Sequence, residues 1–94
     1  VNHIAERAIA EFGGFHTWVN NAGVSIFGRC MEVTIPDMKR MFDTNFWGVV
    51  YGSRVAVNHF KQKQTGSGAL INTGSFFGDR AVAVQSTYAA SKHA

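Results

Sequence analysis

The chain has 94 residues, nine Lys or Arg against six Asp or Glu, and a mean hydropathy of -0.04. That length accommodates one small domain at most, on a prior of roughly 100–200 residues per domain, and 46% apolar residues are too many for a disordered chain. The basic residues are scattered and not interleaved with aromatics, which speaks against a nucleic-acid stripe, and no apolar run approaches the roughly 18–20 residues of a membrane span.

In chain order, "VNHIAERAIAEFGG" places apolar residues at 1, 4, 5, 8, 9 and 12, one helical stripe closed by Gly13 and Gly14. Val1 is already in register, so this helix is expected to begin upstream of it. "FHTWVNNAG" predicts a strand over Phe15–Asn20 running into a loop, and Val24–Val33 reads as irregular. "TIPD" is a helix start, with Thr34 as N-cap and Pro36 in the first turn.

From Asp37 the spacing predicts helix almost to Gln64, with a break near Thr44. Gly48 and Gly52, four apart on one face, suggest either close approach by another backbone or a tolerated pair. "TGSG" at 65–68 is a turn, "ALINTGS" a buried-type strand and "FFGDRAVAVQS" a loop. Ser86 or Thr87 is expected to cap a last helix carrying Tyr88 and Lys92. Helices alternating with strands over crossovers of this length imply α/β architecture with a parallel, doubly wound sheet. Two parallel strands cannot cover their own faces and edges. The expectation is therefore a piece of a larger domain.

Tyr88 and Lys92 lie at i and i+4 and project from one helix face. A phenol is a poor acid or base at neutral pH, and a neighbouring ammonium favours its ionised form. Ser75 ends the second predicted strand, where ligand sites of parallel sheets form, and its hydroxyl could bond a carbonyl oxygen or simply satisfy loop backbone. "NNAG" at 20–23 ends the first strand, either as a turn or as room for a ligand beside the backbone. Asn45 lies mid-helix among apolar residues and needs a partner. It either caps the break or holds a functional water or lysine. His3, His16, His59 and His93 are dispersed, so no metal site is expected. Cys30 is alone and forms no intrachain disulfide.

Asn20-Asn21-Ala22-Gly23, Asn45 in "NFWG", "INTGS" with Ser75, and "YAASK" together resemble the short-chain dehydrogenase/reductases in identity, order and spacing, over essentially the whole chain. The resemblance implies the central part of a single NAD(P)-binding, Rossmann-type domain truncated at both ends. It would run from the helix before the fourth strand, through Phe15–Asn20 as the fourth strand and Ala69–Thr73 as the fifth, to the catalytic helix. It further implies reversible hydride transfer between NAD or NADP and a small-molecule alcohol or ketone. Tyr88 would be the general acid/base, and Lys92 would favour the phenolate and hydrogen-bond the nicotinamide ribose. Ser75 would orient the substrate oxygen, and Asn45 would hold, through its backbone, a water linking Lys92 to solvent. Asn21, Ala22 and Gly23 would line the cofactor site, with Asn20 stabilising the sheet. Phe76, Phe77 and Gln85, on the loop between Ser75 and Tyr88, would touch substrate.

The family's N-terminal glycine-rich pyrophosphate turn is absent, so these 94 residues alone are expected to be inactive. His16 replaces a common Asp, and Gly74 stands where Ser is frequent. The alternative is a non-catalytic Rossmann-like protein that binds a nucleotide or a partner; the joint presence of Asn45, Ser75, Tyr88 and Lys92 argues against it. A cytoplasmic homo-oligomer is the expected setting, with no nucleic-acid partner.

Overall fold

A computed structural model describes residues 1–94. The elements are α1 (Asn2–Phe12), β1 (Thr17–Asn20), α2 (Ile35–Phe42), a π-helical turn (Asp43–Trp47), α3 (Gly48–Gln62), β2 (Ala69–Asn72), a 3-10 turn (Phe76–Gly78) and α4 (Ser86–His93). They fall into two compact units, one made of Val1–Asn21 with Val49–Thr73, the other of Ala22–Gly48 with Gly74–Ala94.

The first unit holds the sheet. β1 and β2 pair in parallel, with Thr17 opposite Ala69 and Asn20 opposite Asn72. The α/β architecture, with helices alternating with parallel strands, is the expected one. α1 ends at Gly13, whose φ of 78° lies in the left-handed region and whose N–H donates to the Ile9 carbonyl at 2.9 Å. β1 begins at Thr17, two residues later than the periodicity suggested. Phe15 is occupied otherwise: its ring stacks on His59 at 4.1 Å between centroids, and its N–H donates to His59 Nε2 at 3.2 Å. Phe60 meets the same ring edge-on at 5.7 Å.

A polar knot closes this unit. Asn20 Oδ1 accepts from Trp18 Nε1 at 2.8 Å, while Asn20 Nδ2 donates to Asn72 Oδ1 at 2.8 Å and Ser53 Oγ at 3.1 Å. Asn20 thus ties the two strands to α3 and stabilises the sheet. Gly52 lies against that knot. A methyl group there would collide with Asn20 Oδ1 and stand 3.0 Å from Trp18 Nε1. The close neighbours of Gly52 are therefore side chains, not another backbone. Gly48 has only its own helix at 3.6 Å, which is ordinary contact.

β2, read as buried from its apolar run, is exposed along its whole length. A parallel strand is buried only when covered on both faces and flanked on both edges, and β2 has β1 alone as a neighbour. The apolar stripe of α1 is likewise mostly open, with Ala5 buried and Ile4, Ile9 and Phe12 exposed.

In the second unit Thr34 caps α2, its Oγ1 accepting from the Asp37 N–H at 3.3 Å, with Pro36 in the first turn. Met41 is fully buried. The break expected near Thr44 is a π turn, in which the Gly48 N–H bonds to the Asp43 carbonyl five residues back. Neither Ser86 nor Thr87 caps α4. The cap position belongs to Gln85, whose side chain makes no capping bond. Within the expected loop, Ser75 Oγ accepts from the Phe77 N–H at 3.2 Å and starts the 3-10 turn.

Candidate active site

Six of the seven expected site residues belong to the second unit. Asn45 is contributed by the π turn, Ser75 by the residue before the 3-10 turn, and Tyr88 and Lys92 by α4. Ala22 and Gly23 begin the segment that follows β1. Asn21 belongs to the first unit, where its Oδ1 accepts from Thr73 Oγ1 at 3.0 Å.

Tyr88 Oη lies 3.4 Å from Ser75 Oγ. That is long for an O–H···O bond, and hydrogen bonds of this kind commonly tighten only around substrate. Both side chains are half-buried, so each hydroxyl is held in place yet reachable. The Tyr88 ring meets Phe77 edge-on, with centroids 6.2 Å apart and planes at 88°. The backbone bond from Phe77 N–H to Ser75 Oγ occupies one lone pair of the serine and leaves the hydroxyl proton and a second lone pair for another group.

Asn45 is 5% exposed and its side chain is fully engaged. Oδ1 accepts from the Val24 N–H at 2.8 Å; Nδ2 donates to the Val24 carbonyl at 2.8 Å and to Ser91 Oγ at 3.0 Å. These bonds tie the side chain to Val24 and Ser91. It mimics a strand partner for Val24, and in doing so fixes the segment that contains Ala22 and Gly23. Ser91 Oγ in turn donates a hydrogen bond to the Tyr88 carbonyl at 2.8 Å. Asn45, Ser91 and α4 are thereby linked in one chain of bonds.

Gly23 stands where Asn45 and Lys92 converge. A methyl group in place of its hydrogen would sit 3.5 Å from Asn45 Oδ1 and 3.7 Å from Lys92 Nζ. The absence of a side chain keeps open the space in front of the ammonium. On the other side of α4, Gly78 is pressed against the helix backbone, and a methyl there would stand 3.0 Å from the Lys92 carbonyl oxygen.

Gln85, expected on the substrate-facing loop, is 6% exposed and accepts from Ser25 Oγ at 2.7 Å. Phe76 is 73% exposed and Phe77 packs on Tyr88. Val24, Ser25 and Ser91 went unnoticed in the sequence. Ser91 had one legible signal, being a hydroxyl three residues after Tyr88 on the helix, where it can reach a preceding carbonyl. Val24 and Ser25 had none. No helix is long and apolar enough to cross a membrane.

Residues 1–94 match the family model described as short chain dehydrogenase. The chain is 64% identical to an oxidoreductase of Bacillus subtilis (strain 168), YxnA, over all 94 residues, which make up 26% of that protein. It is 34% identical over 90 residues, 96% of this chain and 35% of the relative, to a diacetyl reductase [(S)-acetoin forming] of Staphylococcus epidermidis. The solved structure of ElxO with NADP bound superposes with a TM-score of 0.86 at 28% identity, covering 98% of this chain and 37% of that one. The chain thus spans between about a quarter and two-fifths of the length of these proteins. A Rossmann-type α/β arrangement, a Tyr–Ser hydroxyl pair and a match along every residue lead to one assignment: the chain belongs to the short-chain dehydrogenase family.

Proposed function

We propose that the protein carrying this chain is an NAD(P)-dependent oxidoreductase that interconverts a small carbonyl compound and its alcohol. The observation that carries the reading is the Tyr88 hydroxyl 3.4 Å from Ser75 Oγ, on the helix that also presents Lys92 to the open space at Gly23. The donor set fits a nicotinamide cofactor. Gly23 leaves space in which any side chain would stand before the ammonium, and Lys92 and Tyr88 supply donors suited to ribose hydroxyls. Ala22, Gly23, Tyr88 and Lys92 would hold the group, with Asn21 directly after β1. When bound in reduced form it supplies the hydride that ends on the carbonyl carbon.

The residues of the chain perform the rest. Ser75 donates a hydrogen bond to the carbonyl oxygen and fixes its orientation. Tyr88 gives its phenolic proton to the same oxygen as the C=O π bond is lost, so the product is an alcohol and the tyrosine is left as phenolate. Lys92 stabilises that anion by charge. Asn45 lies in the π turn, where the usual ladder of backbone bonds is displaced, and its backbone would hold the water through which the proton is replaced. In the direction of oxidation each transfer reverses.

The relative that reduces diacetyl supports a small carbonyl substrate, and ElxO with NADP bound supports NADP as one usable cofactor. The sequence holds no glycine-rich pyrophosphate turn, and on that ground these 94 residues by themselves would not turn over. Exposed Tyr51 and Val57 on α3 fit a homo-oligomer, and a single free cysteine fits the cytoplasm. The test is to follow oxidation of NADPH or NADH by the full-length protein with diacetyl and other small ketones. Consumption of cofactor that depends on the ketone is the expected result; its absence across the panel overturns the reading.

A further inference from the structure

We propose that Ser25 and Gln85 form a latch that positions Tyr88, a role resting on the functional reading above. Gln85 occupies the cap position of α4, yet its φ of -135° and ψ of 36° are non-helical and its side chain caps nothing. Gln is a poor capping residue. Its side chain is instead buried, and its oxygen accepts from the Ser25 hydroxyl at 2.7 Å.

The backbone of Gln85 starts the helix. Its carbonyl is the acceptor for the Ala89 N–H at 2.9 Å, and its own N–H bonds to the Val82 carbonyl at 3.3 Å. Tyr88 lies in that first turn, so its hydroxyl moves with Gln85. A second tie runs beside the first: the Gly28 N–H donates to the Val84 carbonyl at 3.0 Å. Val84 itself has a φ of 57° and lies inside the turn closed by the Gln85 N–H and the Val82 carbonyl. A β-branched residue is strained in the left-handed region and stays there only where its surroundings hold it. The turn bond across it, together with the ties at its own carbonyl and at the Gln85 side chain just beyond, supplies that hold.

The other end of the latch is equally placed. Ser25 is two residues beyond Gly23, beside which the Lys92 ammonium lies, and one residue beyond Val24, which Asn45 grips from both sides. The segment from Gly23 to Gly28 is therefore fixed at Val24 by Asn45, at Ser25 by Gln85 and at Gly28 by Val84. Through Ser25 and Gln85 the proton-donating turn of α4 is set relative to the space that Gly23 keeps open. Ser25 and Gln85 touch neither reacting atom; they act through Tyr88.

The experiment uses the full-length protein with small ketones, diacetyl among them, and either reduced cofactor. Ser25 is exposed, so Ser25→Ala leaves the fold intact. It should lower kcat about tenfold with the KM for cofactor within about twofold, and speed amide exchange over residues 86–92. Ser25→Thr, which keeps the hydroxyl, should restore both. Unchanged exchange in Ser25→Ala, unchanged kcat, or failure of Ser25→Thr to restore them overturns the latch. Tyr88→Phe separates the two ideas. If it is inactive while Ser25→Ala behaves as wild type, the latch alone falls. If Tyr88→Phe is fully active, or no ketone is turned over by the wild type, the functional reading falls and the latch with it.

Discussion

Asn45 forms a two-way hydrogen-bonded pair with the backbone of Val24, accepting from its N–H and donating to its carbonyl, each at 2.8 Å. The pair joins residues 21 apart in sequence and leaves no freedom in the amide's orientation. Asn45→Asp keeps the shape but replaces the donor by a second acceptor facing the Val24 carbonyl. Burial and that carbonyl both raise the pKa of the introduced carboxyl. Its protonated form restores one donor and one acceptor, so the variant should be destabilised by about 1–3 kcal/mol at neutral pH. The loss should shrink as pH falls through the raised pKa. Thermal unfolding of wild type and variant in the full-length protein, between neutral and mildly acidic pH, checks this. A deficit that does not narrow on acidification would contradict it.

Gly52 is the position in α3 where a methyl group has no room, because Asn20 Oδ1 and Trp18 Nε1 occupy the space. In an open helix Gly→Ala stabilises by nearly 1 kcal/mol. Here the sign should reverse: Gly52→Ala is expected to cost about 1–3 kcal/mol, seen as a lower Tm. Gly13→Ala offers a contrast, since space around Gly13 is free but its φ of 78° is not one that alanine adopts easily.

Asn20 satisfies Trp18, Ser53 and Asn72 at once while 9% exposed. Asn20→Ala strips partners from an indole N–H, a hydroxyl and an amide oxygen. The expected loss is about 1–3 kcal/mol, with Trp18 fluorescence shifting toward that of a solvated indole. An unchanged spectrum would show that the knot re-forms without Asn20.

Ser91 is 2% exposed, accepting from Asn45 Nδ2 at 3.0 Å and donating to the Tyr88 carbonyl at 2.8 Å. Ser91→Ala leaves Asn45 its pair with Val24, so stability should fall by only about 1 kcal/mol. Ser91→Val adds bulk at a packed site and should cost more. Urea unfolding of both variants ranks them.

The order of elements was legible because each rests on local chemistry. Thr34 and Pro36 announce α2, Gly13 ends α1, and the apolar runs before Asn20 and Asn72 mark parallel strands. Tyr88 and Lys92 were readable as a pair from helix spacing alone. What stayed hidden depends on contacts between distant residues. Phe15 leaves the strand because of His59, 44 positions away. Gln85 abandons capping for Ser25, 60 positions away. Asn45 was recognised as needing a partner, but its bonds to Val24 and Ser91 could not be foreseen. Propensity can say that a buried amide must be satisfied; only the packed chain says by what.

The most direct test of the account is kcat of Tyr88→Phe beside wild type in the full-length protein, with cofactor binding measured separately by fluorescence. The substitution removes one oxygen, the one 3.4 Å from Ser75 Oγ, and leaves the ring against Phe77. The expected result is that kcat falls by about 10²–10⁴ while NADPH or NADH still binds. Turnover within about threefold of wild type would show that the proton comes from elsewhere, and would contradict the role given to Tyr88.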